Sequence, residues 1–411
     1  MTHPATGPRN APKATVVIPT FNRAALLAET LRGLARQDLD PAEYEVIVVD
    51  DGSTDHTAEV AASFTERLRL KYVFQEDQGF RVAAARNAGA RLAAADLLVF
   101  IDTGAVVGPG YLRHHLAAHG DRSEPRAVVG YAYAYRPEDP PAGLEAMAGR
   151  LLPERLLEVY AHDPSFWDIR HGAFVRSGWD LRELAVPWIL LWATNCSVRT
   201  ADYWAVGGFD EDFRQWGVED MELGLRLHKH GVRFVVDHDA WVVEAPHERD
   251  DEGNARGNRN NIGQMLAKHR EPVAEIGWNL IHTDRYWPWE DDYRAVLEWT
   301  AKSKGLDVAD EVAAATSDLG KADRVAVIGC GATVPGNLEG AELFDFDAEA
   351  LEGRERAWHA IGLRTPLPDH SVDVVVLTSR LAGLWDRWNL EILAEARRIG
   401  REVRAPGLEP R

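Results

Sequence analysis

The chain has 411 residues, enough for two or three domains, and 45% of them are apolar, ample for buried cores. A formal charge of −19 excludes a general nucleic-acid binder, because neutralising phosphates needs a basic face, but leaves room for a small anionic substrate held by a few local cations or a metal. Two distant cysteines, Cys196 and Cys330, exclude a disulfide framework and fit a reducing cytoplasm, and no apolar run approaches the ~20 residues of a bilayer span.

Met1–Lys13 is Pro- and Ala-rich, without the apolar centre of a signal peptide, and reads as a flexible tail. Ala14–Pro19 is a short β-branched run ended by proline, the pattern of a buried parallel strand, and Thr20-Phe21-Asn22-Arg23 is the loop after it. Leu26, Leu27, Leu31 and Leu34 trace a helical stripe; Glu45–Asp50 is a second strand, and Asp51–Asp55 a turn into another helix. Leu70–Gln75 and Leu97–Asp102 are expected as third and fourth strands, separated by Glu76–Arg81 and an alanine-rich helix through Arg86-Asn87. Strand–helix alternation at this spacing predicts a right-handed, open parallel α/β sheet, in which ligands bind beyond the carboxyl ends of the strands. Thr20–Asn22, Asp50–Asp51, Asp77–Arg81 and Asp102 all fall at such ends, which makes that edge a candidate site.

Further along, Arg126–Tyr135 reads as a strand and Glu138–Arg182 as a Pro-interrupted insertion, a variable loop or lid. Gly207–Glu211 is expected as a tight glycine turn carrying an exposed Phe209 and two carboxylates. Trp216-Gly217 is a second break, after which Val218, Met221 and Leu225 fall at helical spacing, placing Glu219 and Asp220 in a first helical turn. There the free amides and the helix dipole favour an ionised carboxylate, suited to accept a proton from a sugar hydroxyl or simply to cap the helix. Arg233–Val236 and Ala240–Val243 read as two short strands, and polar Asp250–Asn261 as a loop ordered only by a ligand.

Taken together, VVIPTFNR, VIVVDDGSTD and DQGFRVAAARNAGARLAAADLLVFID resemble the inverting glycosyltransferases of the GT-A fold, and GGFDEDFRQWGVEDMELGLRL resembles the acceptor region of galactosyltransferase-type enzymes. The resemblance runs from Ala14 to Pro246. It implies a Rossmann-like nucleotide-sugar-binding domain, and roles for individual residues. Pro19, Thr20 and Asn22 would line the nucleotide pocket, Asp51 would bond the uracil edge with Asp50 behind it, and Asp77, Gly79 and Arg81 would close on the diphosphate. Trp216 and Gly217 would shape the sugar pocket, and Asp220, paired with Glu219, would be the general base. Asp102 would open the family's Asp-x-Asp metal motif, with His247 as a further ligand for Mn²⁺ or Mg²⁺. The motif's second Asp is replaced by Gly104. Asp102 and His247 with phosphate and waters then hold the ion, or metal dependence is weakened, or activity is lost.

The GT-A domain is expected over 14–300, a linker over 301–321, and a small α/β appendage over 322–411. Arg324–Ile328, Gly329-Cys330-Gly331, Glu342–Phe346 and Val372–Leu377 resemble the nucleotide-binding half of a class I methyltransferase, where Gly329 and Gly331 would approach S-adenosylmethionine. The third glycine is missing, and Gly331 to Asp345 is short for a full helix and strand. The functional expectation is inverting transfer of a hexose or N-acetylhexosamine from a UDP-sugar to a hydroxyl, or less usually a thiol, of a saccharide, natural-product or peptide acceptor. The alternatives are a sugar-nucleotide-binding scaffold without catalysis, and a methyltransferase acting through the C-terminal segment.

Overall fold

The computed structural model describes residues 11–120, 124–136, 139–338 and 340–408; residues 1–10 of the expected tail lie outside them. The chain divides into two compact units, 1–257 and 258–411.

The first unit is built on an eight-stranded sheet in the order β3-β2-β1-β4-β7-β6-β8-β5. β1 (Ala14–Thr20), β2 (Tyr44–Asp50), β3 (Leu70–Phe74) and β4 (Leu97–Ile101) are the four strands read from the sequence, and they pair in parallel. β5 (Ala105–Val107), β6 (Arg126–Tyr133), β7 (Asn195–Arg199) and β8 (Arg233–Glu244) complete it. β7 runs antiparallel to both β4 and β6, and β5 antiparallel to β8, so the sheet is mixed and not parallel throughout. Only the first half obeys the strand–helix alternation that dictates parallel pairing. β1, β2 and β4 are buried along their whole length, with Val16, Ile18, Val46, Val48, Val99 and Ile101 packed against Leu27, Leu31 and Leu34 of the Ala24–Leu34 helix. The Val82–Arg91 helix covers the other face, where Gly89 is required: a Cβ there would stand 2.5 Å from Val17.

Three further sequence expectations change. β8 is one strand, not two; its residues 238–240 bulge out opposite the Gly130/Tyr131 step of β6. Phe209 is buried, edge-on to Phe100 at 5.5 Å, because positive φ at Gly207 (89°) and Gly208 (71°) turns its ring inward. Residues 251–261 are helical, within Asp251–Lys268. Asp250 accepts the Gly253 amide and acidic residues occupy the first turn, start signals that outweigh four weakly helix-forming asparagines.

The insertion after β6 is built of short helices (Leu144–Met147, Pro153–Tyr160, His171–Arg176). It is anchored through the buried ion pair of Arg170 with Asp168 at 2.6 Å, and Arg170 also donates to the carbonyls of Leu190 and Gly130 and stacks on Trp192. That end of the insertion is core, and not a lid.

The second unit carries a parallel five-stranded sheet, β11-β10-β9-β12-β13, from β9 (Val325–Ile328), β10 (Glu342–Asp345), β11 (Ala357–His359), β12 (Val372–Leu377) and β13 (Gly400–Arg404). β13 escaped the sequence reading because an edge strand of sequence GREVR shows no apolar alternation. Helix Ala309–Ala315 lies within the expected linker, and helix Trp289–Lys302 runs into its start. Beside Gly329 and Gly331, the crevice is filled by buried Arg380, which donates to Asp345 (2.9 Å), Asp347 (3.3 Å) and the Ser303 carbonyl (2.7 Å). A side chain of the protein holds the acidic groups a cofactor ribose would need, so the methyltransferase expectation has no structural support.

Replacing Arg170 by Met should lower the stability of the first unit by about 3–5 kcal/mol, since Asp168 is then left buried without its cation. Urea denaturation followed by tryptophan fluorescence measures this, and a loss below about 1 kcal/mol would show that the pair does not anchor the insertion.

Candidate active site

At the carboxyl ends of β1 and β2 the two loops are stitched together. The Asp51 amide donates to the Thr20 carbonyl (2.9 Å), the Asn22 amide to Ser53 Oγ (2.7 Å), and the Thr54 amide to Asn22 Oδ1 (2.8 Å). Asn22 adopts φ 50°, a left-handed conformation that asparagine tolerates. Asp50 is buried and structural: it accepts the Ser53 amide and the Tyr72 hydroxyl. Asp51 accepts from Gln75 (2.6 Å) and from both the amide and guanidinium of Arg81 (3.0 and 2.9 Å). Asp77 accepts the Gly79 amide and packs on Gly52, where a Cβ would lie 2.5 Å from the Asp77 nitrogen. Thr103 Oγ1 donates to the Pro19 carbonyl, tying the end of β4 to that of β1. Pro19, Thr20, Asn22, Asp51, Asp77, Gly79 and Arg81 are thus drawn to the edge the sequence indicated.

The centre of the site is Arg86, from the Val82–Arg91 helix. Its guanidinium donates to Asp102 Oδ1 (2.8 Å) and Glu219 Oε1 (3.0 Å) and stacks over Phe209. Arg86 is 3% exposed, and the two carboxylates hold it firmly charged despite burial. Glu219 and Asp220 open the Glu219–Lys229 helix as expected, behind the positive-φ pair Gly217 (91°) and Val218 (73°), with Trp216 partly exposed beside them. Their fates differ. Glu219 is buried on Arg86, whereas half-buried Asp220 accepts only the amides of Met221 (2.8 Å) and Ala193 (3.3 Å). Burial, with the Glu219 charge second, raises the Asp220 pKa to about 7, partly opposed by Arg86.

Gly104 has φ 104°, beyond the range an Asp side chain adopts readily, which accounts for the missing second carboxylate. Its carbonyl accepts the Ala245 amide (2.9 Å), tying the His247 turn to the Asp102 loop. His247 Nδ1 is held by the Ala245 carbonyl (2.9 Å), which orients the ring as second partners orient metal-binding histidines. Asp102 keeps a partly exposed carboxylate, bonded at one oxygen. Both are residue types that ligate divalent ions. Among the described residues, the one His/Asp/Glu/Cys triad with ligand atoms within 4.8 Å of one another lies elsewhere, at His114, Asp237 and Asp239.

Three residues escaped the sequence reading as site residues. Arg86 had a signal, a cation in the middle of an alanine-rich helix. Tyr135 and Glu244, just past or at strand ends, had none beyond position. Buried polar atoms without a partner gather here: Thr20 Oγ1, Arg81 Nε, Arg86 Nε, Thr194 Oγ1, Glu219 Oε2 and Glu244 Oε2.

Known proteins similar to this chain are glycosyltransferases. Residues 15–171 match the family model described as glycosyl transferase family 2, and 185–247 the one described as N-terminal domain of galactosyltransferase. The chain is 41% identical to a validoxylamine A glucosyltransferase of Streptomyces hygroscopicus subsp. limoneus, over 97% of this chain and 91% of that protein. It is 42% identical to the enzyme of the same name from Streptomyces hygroscopicus subsp. jinggangensis (strain 5008), over 97% and 98%. Among solved structures, S. aureus TarS 1-349 in complex with UDP-GlcNAc aligns over 62% of this chain and 66% of its own, at 20% identity and a TM-score of 0.45. On the family model and on near full-length relatives of this identity, the chain belongs to the family 2 glycosyltransferases and is an enzyme of that kind.

Proposed function

We propose that this enzyme transfers glucose from UDP-glucose, with inversion, to a hydroxyl of a small natural-product acceptor of the validoxylamine A type. The observation that carries the chemistry is the Arg86–Glu219–Asp220 arrangement: two adjacent carboxylates, one neutralised by a buried arginine and the other left half-buried with a pKa near 7. The relatives' names supply glucose and the acceptor class.

In this reading the loops carrying Pro19, Thr20, Asn22 and Asp51 hold the nucleoside, and Asp77, Gly79 and Arg81 close over its diphosphate. Trp216 and Gly217 shape the sugar pocket, an aromatic face suiting the C–H side of a pyranose. The acceptor hydroxyl gives its proton to Asp220 as its oxygen forms the new bond to C1, while the C1–O bond to UDP breaks on the opposite face. One base suffices for a single inverting displacement. Asp102 and His247 would hold Mn²⁺ or Mg²⁺, whose charge offsets the negative charge developing on the leaving diphosphate. Against the scaffold alternative stand the near full-length relatives, which are named as glucosyltransferases.

Replacement of Asp220 by Asn should lower kcat by about 10²–10⁴ in a coupled UDP-release assay with validoxylamine A as acceptor, while UDP binding by calorimetry reports whether the variant is folded. Full activity in this variant would remove Asp220 from the base role.

The pH profile has a definite sign. A base works deprotonated, so kcat/KM should rise as pH approaches about 7 from below and level off above it. In Glu219→Gln the like charge that raises Asp220 is gone, so the rising limb should move to lower pH; an unmoved limb would mean that another group titrates.

Chelation with EDTA should abolish transfer, and added Mn²⁺ or Mg²⁺ should restore it. Transfer that persists at full rate in chelator would take the metal, and with it the Asp102–His247 assignment, out of the mechanism.

A further inference from the structure

The Val82–Arg91 helix reaches both halves of the proposed reaction. It starts directly after Arg81, whose amide and guanidinium hold Asp51 at the nucleotide edge (3.0 and 2.9 Å). Roughly 9 Å further along the axis stands Asn87, next to Arg86. The helix is firmly seated, with Ala83, Ala85, Gly89 and Ala90 all buried. Asn87 is itself 2% exposed, and its whole hydrogen-bonding capacity goes to the Tyr203–Glu211 segment. Its Nδ2 donates to the Phe209 carbonyl (2.8 Å) and to Glu211 Oε1 (2.8 Å). Its Oδ1 accepts the Phe209 amide (3.0 Å) and the Tyr203 hydroxyl. One side chain thus answers both backbone groups of Phe209, as a neighbouring strand would. Gly208 makes room for it: a Cβ there would stand 2.7 Å from Asn87 Oδ1.

Asparagine is a poor helix former, and here it stands in a helix whose other buried residues are mostly alanine and glycine. A locally unfavourable residue of this kind marks a tertiary requirement. Two consecutive residues of one helix therefore hold both ends of the segment from Phe209 to Glu219. Asn87 holds the first through its backbone, and Arg86 the last through its carboxylate (3.0 Å). The Phe209 ring returns between them, 5.1 Å from the Arg86 guanidinium. Trp216 and Gly217 lie inside the tethered segment, and Asp220 follows it directly. Beyond burial, Asp220 feels the charges of Glu219 and Arg86, the second of which also pairs with Asp102. Burial keeps the nearby Tyr135 hydroxyl and Cys196 thiol uncharged at neutral pH. The proton on Asp220 therefore responds to where Glu219 and Arg86 are held.

We propose that Asn87 is a positioning residue for the transfer. The helix acts as a ruler on which Arg81 sets the donor end and Asn87, together with Arg86, the acceptor end. The inference rests on the transferase reading with Asp220 as base, and extends it to a side chain whose polar groups are all taken by the protein. Asn87→Ala removes the tether. Asn87→Asp keeps the oxygen that accepts the Phe209 amide but sets a second oxygen against the Phe209 carbonyl and Glu211. In both variants kcat for UDP release with validoxylamine A should fall by about 10–10²-fold, while UDP affinity by calorimetry stays within about twofold. The rising limb of the pH profile should move to higher pH, because the Arg86 charge is held less closely beside Asp220. Arg91→Ala, which deletes an exposed ion pair to the same Glu211, should change none of these. A kcat close to that of wild type in both Asn87 variants would overturn the proposal, and so would a limb they leave unmoved when Glu219→Gln moves it. Loss of UDP binding in both would overturn it too, since Asn87 would then serve the fold as a whole. A fall in kcat at constant UDP affinity, with a limb that no variant moves, Glu219→Gln included, would keep the tether and reject Asp220 as the titrating base.

Discussion

The site depends on one buried cation. Arg86 gathers Asp102 from the end of β4 and Glu219 from the start of a helix 133 residues further along, and without it two carboxylates would face each other across a desolvated edge. Breaking such a triad strands a charge at a cost of about 3–5 kcal/mol, so the geometry is held in a narrow range. The same contact differentiates the acidic pair. Glu219 takes the ion pair and stays buried; Asp220, one residue on, points to the amides of Ala193 and Met221 and keeps the tunable proton. A single arginine thereby fixes the position of both ion-paired carboxylates, while burial and the Glu219 charge raise the Asp220 pKa.

Most of the first unit was legible in the sequence because its signals are local. The four parallel strands are short β-branched runs that end at Pro19, Asp50, Gln75 and Asp102, and their loops carry the polar residues by necessity of topology. The chain beyond β4 was less legible. β7 and β6 enter antiparallel through long excursions, and the bulge in β8 interrupts its apolar pattern, so nothing in a window of ten residues marks the true partner. Phe209 was misplaced for a related reason: a glycine turn reads as surface, but two positive-φ glycines are what allow the ring to fold back onto Phe100.

At the candidate site, the residues that carry a motif stand out in the sequence and those defined by burial do not. Gly104 shows why the distinction matters. Its φ of 104° and its carbonyl bond to Ala245 give that position a backbone role between the Asp102 loop and the His247 turn, which a motif reading of the missing carboxylate does not reveal. In the C-terminal unit the same logic runs the other way. Gly329 and Gly331 keep the glycine conformation of a cofactor loop, with φ of 76° and 65°, yet Arg380 occupies the place a ligand would take and pairs with Asp345 and Asp347. Motif residues remain where the backbone needs them, whether or not a ligand does.

Buried polar atoms are therefore the more discriminating evidence in this chain. Around Arg380 the carboxylates are answered by protein donors, and the unit is closed. At the sheet edge of the first unit, Thr20, Thr194, Glu219 and Glu244 each keep an unanswered atom. The acidic groups of the two units therefore differ: Asp345 and Asp347 are paired with Arg380 within the protein, whereas Glu219 and Glu244 each keep one oxygen without a protein partner among the described residues.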